Sequence, residues 1–443
     1  MLNRFTHYNT QQHLLPPGRE VLLAVSGGRD SVAMADLCHH AGVKFAIAHC
    51  NFGLRAGDCD RDEAFVRHLA QLYGATFHCQ RFDTRAHAAS HSQGIEEAAR
   101  ELRYSFFSRL CRNHGYPCVA TAHHRDDAVE TFFLNLFRGT GLEGLRGIRP
   151  HSKFNIQNSE LHVVRPMLCF SREEITSYMA ERGLAYVEDH TNSQPVAQRN
   201  RIRLQLMPLL RELYPSVDAT MEQNLHRLDE AAEVYRSHVD ALRGQLLQPY
   251  HSVLPYPHPP LTAIRTDAIA GLHPQRTLLF ELLRPYGVKA AMVDELTSAL
   301  ASEGGQLFHT ATHSLTLHRS HLLIALRQEV PAPRVDMAQA PLPERWDRSG
   351  RVVYVDGDQV QPPLRLRLWQ PADRFRPFGM QGSRLVSDFL TDLGLSRLEK
   401  QWVWLMEDGA GEIVWVVGLR ADERTRVGDG TRHVLRLSVA EGA

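Results

Sequence analysis

SGGRDS, residues 26–31, stands between an apolar run, VLLAV (21–25), and a helix-like stretch, VAMADLCHHAG (32–42). Its two glycines let the backbone turn sharply and bare N–H groups, and a helix starting there adds the positive end of its dipole. Such a turn is a nest for phosphate. Ser26 and Ser31 add hydroxyl donors, while Asp30 places a negative charge where anions gather. That placement makes sense when a divalent cation bridges the carboxylate to phosphate oxygens. No lysine follows the glycine pair, which excludes the pattern G-x-x-x-x-G-K-[ST], and the spacing G-x-G-x-x-G is missing too.

Outward from this turn, the first ~150 residues alternate strand and helix patterns. VLLAV, KFAIAH (44–49), TFHCQRF (76–82) and CVATAH (118–123) read as short buried strands. Residues 30–41, 58–74, 95–115 and 126–139 read as helices, several stopped by glycine. The expected fold is α/β, a doubly wound, mostly parallel sheet of Rossmann-like type with helices on both faces. Ligands of such sheets lie beyond the carboxyl ends of the strands. Both SGGRDS and AHHRDD (122–127) sit at such ends.

A chain of 443 residues exceeds the size at which one core stops growing, so several domains are expected. We assign 1–212 to the catalytic α/β domain and 213–330 to a mainly helical middle domain. Residues 331–348, proline-rich and without a sustained period, are the expected linker, and 349–443 a small α+β domain. HSLTLHRSHLLIAL (313–326) alternates like a hairpin. No apolar run approaches the ~18 residues that span a bilayer, so no membrane role is expected. Seven cysteines without a C-x-x-C pair argue against a disulfide framework and point to the cytoplasm. The formal net charge is zero, but only four of the 50 basic residues are lysines. Arginine suits forked phosphate contacts, although codon bias also enriches it.

The signature SGG-x-DS resembles that of the PP-loop ATP pyrophosphatases, which split ATP between its α and β phosphates and pass AMP to an acceptor oxygen. Further stretches resemble the tRNA(Ile)-lysidine synthetase family. These are HCNFGLR (49–55), GIEEAARELRY (94–104), the run TAHHRDDAVETFFLNLFRGTGLEGLRGI (121–148), RPML (165–168), EDHTN (188–192) and RNRIR (199–203). Phe52 stands where that family usually has histidine. The resemblance implies ATP and Mg²⁺, a tRNA(Ile) with CAU anticodon and L-lysine as partners, and allows a homodimer. It implies adenylation of the wobble cytidine at the oxygen on carbon 2, then displacement of AMP by the lysine side-chain amine. A PP-loop tRNA thiolation enzyme is the alternative, and a non-catalytic RNA-binding protein with a nucleotide site is another.

On that reading Ser26, Gly27, Gly28, Arg29, Asp30 and Ser31 bind ATP, and Asp30 holds the metal. Asp127 and Glu130, three apart on one helix, share a face and suit an ammonium group. Arg100 and Arg103 offer forked donors for the lysine carboxylate. His123 is placed to take a proton from the attacking amine. The catalytic set is thus Asp30, Arg103, His123, Asp127 and Glu130. Carboxylates in a first helical turn also steady the helix dipole without doing chemistry. Two arginine clusters suit RNA phosphates: Arg199, Arg201 and Arg203, and, near the carboxyl end, Arg374, Arg376 and Arg384.

Overall fold

The computed structural model describes the chain apart from residues 55–57, 157–158, 188–197, 301–304, 348 and 441–443. It divides into two compact units, Met1–Val234 and Tyr235–Ala443. EDHTN and the last residue of HCNFGLR lie outside the described residues.

The first unit holds a six-stranded sheet: β1 (Val21–Ala24), β2 (Phe45–Asn51), β3 (Phe77–Arg81), β4 (Val119–Ala120), β5 (His151–Ile156) and β6 (Ser159–Val164). Their order is β3-β2-β1-β4-β6-β5. All neighbours are parallel except β5, which runs antiparallel to β6 at the edge. The helices up to residue 182 are α1 (Leu2–Gln11), α2 (Arg29–His40), α3 (Asp58–Leu72), α4 (Thr84–His91), α5 (Ile95–His114), α6 (Arg125–Arg138), α7 (Leu142–Leu145) and α8 (Arg172–Arg182); Gln198–Arg201, Met207–Leu213 and the start of Val217–Leu246 follow. The mostly parallel sheet expected from the sequence is therefore present. The β5–β6 hairpin and the short α4 had no strong periodic signal.

Alternate side chains of β1 enter opposite cores. Val21 and Leu23 pack with Met34 and Leu37 of α2, Val66 and Leu69 of α3, and Ile175 and Met179 of α8. Leu22 packs with Ala46 and Ala48 of β2 and with Tyr104 and Phe107 of α5. Burial on both faces explains why VLLAV is apolar throughout rather than alternating. After β1 the chain builds β2 and β3 on one side, then returns to place β4 on the other. The carboxyl ends of β1 and β4 thus flank the point where strand order reverses, the crevice in which open α/β sheets bind ligands.

In the second unit the residues between 235 and 330 add to their helices a five-stranded antiparallel sheet. Its central pair, His313–His318 and His321–Leu326, is the expected hairpin. The stretch expected as a linker carries a strand, Val335–Gln339, paired with Val434–Val439. Residues on either side of that stretch share one core: Leu254, Tyr256, Leu261 and Leu323 pack with Phe389, Leu405, Val414 and the fully buried Trp415. The proline-rich segment VLPYPHPPL (253–261) joins this core, and its Tyr256 hydroxyl donates to the Trp402 carbonyl at 3.3 Å. Among the described residues no helix is long and apolar enough to cross a membrane.

Candidate active site

The turn after β1 folds as its sequence asks. Gly27 takes φ +93°, a region costly for any side chain, and a Cβ there would come within 3.3 Å of Val66 on α3. Gly28 is the N-cap of α2. The Ser31 hydroxyl donates to the Gly28 carbonyl at 2.8 Å and lies 3.3 Å from the Ser26 hydroxyl. Arg29 Nε donates to Asp30 Oδ1 at 3.0 Å, holding the carboxylate at the mouth of the turn with its side chain 32% exposed. The Gly28 N–H donates to the Ser26 hydroxyl at 3.3 Å and the Ser31 N–H to the Gly28 carbonyl at 3.1 Å, while the N–H groups of Arg29 and Asp30, at the start of α2, are donors that a phosphate can use.

The segment after β4 faces it. His124 is wholly buried, and its Nε2 lies 3.8 Å from Asp30 Oδ2 and 3.5 Å from Asp127 Oδ2. One imidazole thereby connects the phosphate turn to the start of α6. Asp127 Oδ2 accepts the His124 backbone N–H at 3.0 Å, and Asp126 Oδ2 accepts that of Arg172 at 2.8 Å. Burial opposes ionisation of Asp126, but the His124 ring and the Arg172 N–H outweigh it and hold its pKa low. Burial works against Asp127 as well, and the charges of His124 and Arg199 prevail, lowering its pKa.

His123 accepts or donates one hydrogen bond, Nδ1 to the Thr121 hydroxyl at 2.9 Å. Burial pushes its pKa down to about 4; Asp127 works the other way, and Arg165, Arg199 and Arg103 reinforce the lowering. The ring is therefore neutral near pH 7, as a proton acceptor must be.

Arg100 and Arg103 project from α5, both exposed and each backed by an aromatic ring. Arg100 lies 4.8 Å from the centroid of Tyr104, and Arg103 lies 5.3 Å from that of Phe52. Phe52 itself stacks on Phe82 at 5.7 Å. At the position where histidine was expected, this chain thus presents an arginine–aromatic contact.

The arginines of RNRIR do not share one surface. Arg199 donates to Glu130 Oε2 at 2.7 Å and to Asp127 Oδ1 at 2.9 Å. Arg203 meets Glu130 through both oxygens, at 2.6 and 2.9 Å. Arg201 is exposed. The two carboxylates expected to receive an ammonium group are already facing two guanidinium groups, with Glu130 only 1% exposed. Arg172, which no sequence signal marked, adds a third cation 3.7 Å from Glu130. Arg199 and Arg203, four apart, share a face much as Asp127 and Glu130 do, but that spacing does not name their partners.

In the second unit Arg374 and Arg376 are exposed, and among the described residues neither has a carboxylate within salt-bridge range. Asp373 is taken instead by Arg367, which also binds Glu407. Arg384 pairs with Asp392 at 2.7 Å. Phe375 is core, in edge contact with Phe389, while Phe378 is 40% exposed.

Among the described residues no group of three or more His, Cys, Asp or Glu side chains is arranged to cage a metal ion. Asp30 alone fits a different mode: Mg²⁺ commonly takes one or two carboxylates and draws its other ligands from phosphate and water.

Three family models match the chain: a PP-loop domain over residues 3–210, a TilS substrate binding domain over 261–328 and a TilS substrate C-terminal domain over 364–438. A protein of Parabacteroides distasonis named tRNA(Ile)-lysidine synthase is 36% identical over 452 residues, covering 98% of this chain and 99% of its own length. One of the same name from Bacteroides thetaiotaomicron is 36% identical over 440 residues, covering 98% of each. A third so named, from Porphyromonas gingivalis, is 32% identical over 432 residues, 92% of this chain and 91% of its own.

Proposed function

The chain belongs to the tRNA(Ile)-lysidine synthase family, and from that membership we propose how its residues divide the work. The enzyme is an ATP-dependent ligase. It joins lysine to carbon 2 of the wobble cytidine of tRNA(Ile) with CAU anticodon, so that AUA is read as isoleucine. The cytidine oxygen attacks the α phosphorus of ATP and pyrophosphate leaves. The lysine side-chain nitrogen then forms a bond to carbon 2, and AMP departs with the oxygen. The near full-length likeness carries this reading, together with a phosphate turn and a carboxylate pair on opposite lips of one crevice.

In the proposed division, Ser26, Gly27, Gly28, Arg29 and Ser31 hold the β and γ phosphates through backbone N–H and hydroxyl donors. Asp30 holds Mg²⁺, which when bound supplies neutralisation of phosphate charge. His123 accepts the proton that the amine nitrogen sheds as it bonds to carbon 2. Arg103, fixed over Phe52, meets the lysine carboxylate, with Arg100 beside it. Asp127 and Glu130 receive a lysine ammonium, which enters by exchange as Arg199 or Arg203 withdraws.

The reaction is tested directly by incubating the protein with unmodified tRNA(Ile), ATP and labelled lysine. Label in RNA with release of AMP and pyrophosphate is expected; sulfur incorporation would favour a thiolation enzyme, and no pyrophosphate a binding protein. For His123, the depressed pKa places its loss of function as a base near pH 4, not near 6.5. In single turnovers started from adenylated tRNA, log rate against pH should run through 6.5 without an acid-side break, and His123→Gln should lower the whole line. A line that His123→Gln leaves unchanged would remove His123 from the proton transfer, and a break near 6.5 that the variant removes would contradict its lowered pKa.

Arg374 and Arg376 are proposed to grip tRNA phosphates far along the chain from the chemistry. Removing one arginine from a phosphate lowers the slope of log affinity against log salt by about 0.7–0.9. Arg374→Ala with Arg376→Ala should therefore flatten that slope by about 1.4–1.8 and raise KM for tRNA, leaving those for ATP and lysine nearly unchanged. An unchanged slope in a folded double variant would rule the RNA role out.

A further inference from the structure

Helix α6 carries more than the carboxylates. Glu130, Phe133 and Phe137 fall at spacings of three and four, one face of a helix. Phe133 is partly buried against the small core that contains Val129, Ile202 and Met207. Phe137 stacks on it with ring centroids 5.9 Å apart and planes 24° from parallel, yet is 66% exposed. A large ring stacked on its neighbour but left open to water does not serve the core. Its neighbour in the chain is cationic. Arg138 follows it and donates to Gln198 at 3.1 Å, which ties the end of α6 to the helix Gln198–Arg201, where Arg201 is also exposed.

We propose that Phe133 and Phe137 form a stacking platform for an unpaired nucleobase next to the wobble cytidine. The inference rests on the proposed reading that the wobble cytidine reacts in the crevice between the phosphate turn and the start of α6. Phe137 lies seven positions along the helix from Glu130, about 10 Å along the axis. That distance suits the base adjacent to one held at the start of α6 once an anticodon loop is splayed open. RNA loops are read by stacking splayed bases on aromatic rings, with arginine meeting the neighbouring phosphates. Phe133 fixes the platform from beneath, Phe137 presents the ring face, and Arg138 and Arg201 supply the charge that a bare hydrophobic patch would lack.

The adenine immediately 3′ of the wobble cytidine in the CAU anticodon can be replaced by 2-aminopurine, whose fluorescence is quenched by stacking. Binding to the parent protein and to Phe137→Trp should quench it, and Phe137→Ala should not. Phe137→Ala should also lower kcat/KM for tRNA by about 5- to 150-fold, the span of one base on one ring, with KM for lysine unchanged. Phe137→Leu should behave as the alanine variant, because it keeps apolar area but has no π face. Quenching and kcat/KM within twofold of the parent in a folded Phe137→Ala protein would overturn the proposal, as would full rescue by leucine. A changed sedimentation coefficient with unaltered tRNA kinetics would overturn it too, making the patch a protein contact. Since label transfer by the parent tests the reaction itself, failure of the platform and failure of the function are separable.

Discussion

Glu130→Gln is expected to lower kcat/KM for lysine about 30-fold at the least, and up to several thousand-fold, while pyrophosphate release from ATP with tRNA alone falls far less. The range is that of removing one partner from a desolvated charge pair, about 2–5 kcal/mol. Glu130 meets the condition: its side chain is 2% exposed and both its oxygens accept guanidinium donors. Glutamine keeps the shape and one acceptor but not the charge. It leaves Arg199 and Arg203 partly unpaired, so some stability is lost as well. Thermal unfolding measured beside the two half-reactions keeps the effects apart. Equal loss in both half-reactions would assign Glu130 to the metal or to folding instead of to lysine.

Asp30→Ala is expected to reduce tRNA-dependent pyrophosphate release by about 1000-fold or more. A bound metal that neutralises phosphate charge is worth several kcal/mol in the transition state, and each 1.36 kcal/mol is tenfold in rate. The fold should survive. Asp30 is one-third exposed and its close partner is the neighbouring Arg29, a pair of the kind worth about 0–1 kcal/mol. The melting temperature should drop by a few degrees at most. Chelation of Mg²⁺ from the parent should reproduce the defect. Pyrophosphate release by the variant at the parent rate would remove Asp30 from the chemistry.

The crevice was legible because its parts are local. A buried strand, a glycine turn and a helix start are each written in a few consecutive residues, and SGGRDS and AHHRDD announce them. Partner choice was not legible. Arg199 and Arg203 lie about 70 residues from Glu130 in sequence, and nothing in the period of either helix says that they meet. From sequence they read as one more basic cluster suited to phosphate. Arg172 escaped notice for the same reason, and His124, to which no sequence signal assigned a role, proved to be the buried group between two motifs. The strand Val335–Gln339 was hidden by prolines around it, its pairing being supplied by residues a hundred positions away.

The occupied carboxylates have a thermodynamic consequence for the amino acid. On the proposed assignment, lysine does not fill a vacant pocket; one cation replaces another at Asp127 and Glu130. The number of ion pairs is conserved, so the observed affinity is a difference between two similar terms and is modest by construction. Added salt weakens both sides of the exchange alike, and KM for lysine should respond little to ionic strength even where that for tRNA responds steeply. The released guanidinium keeps its charge and, standing beside a polyanion, is drawn toward phosphate. Bound RNA thereby tilts the exchange toward lysine, coupling the two substrates through one pair of arginines with no change of fold.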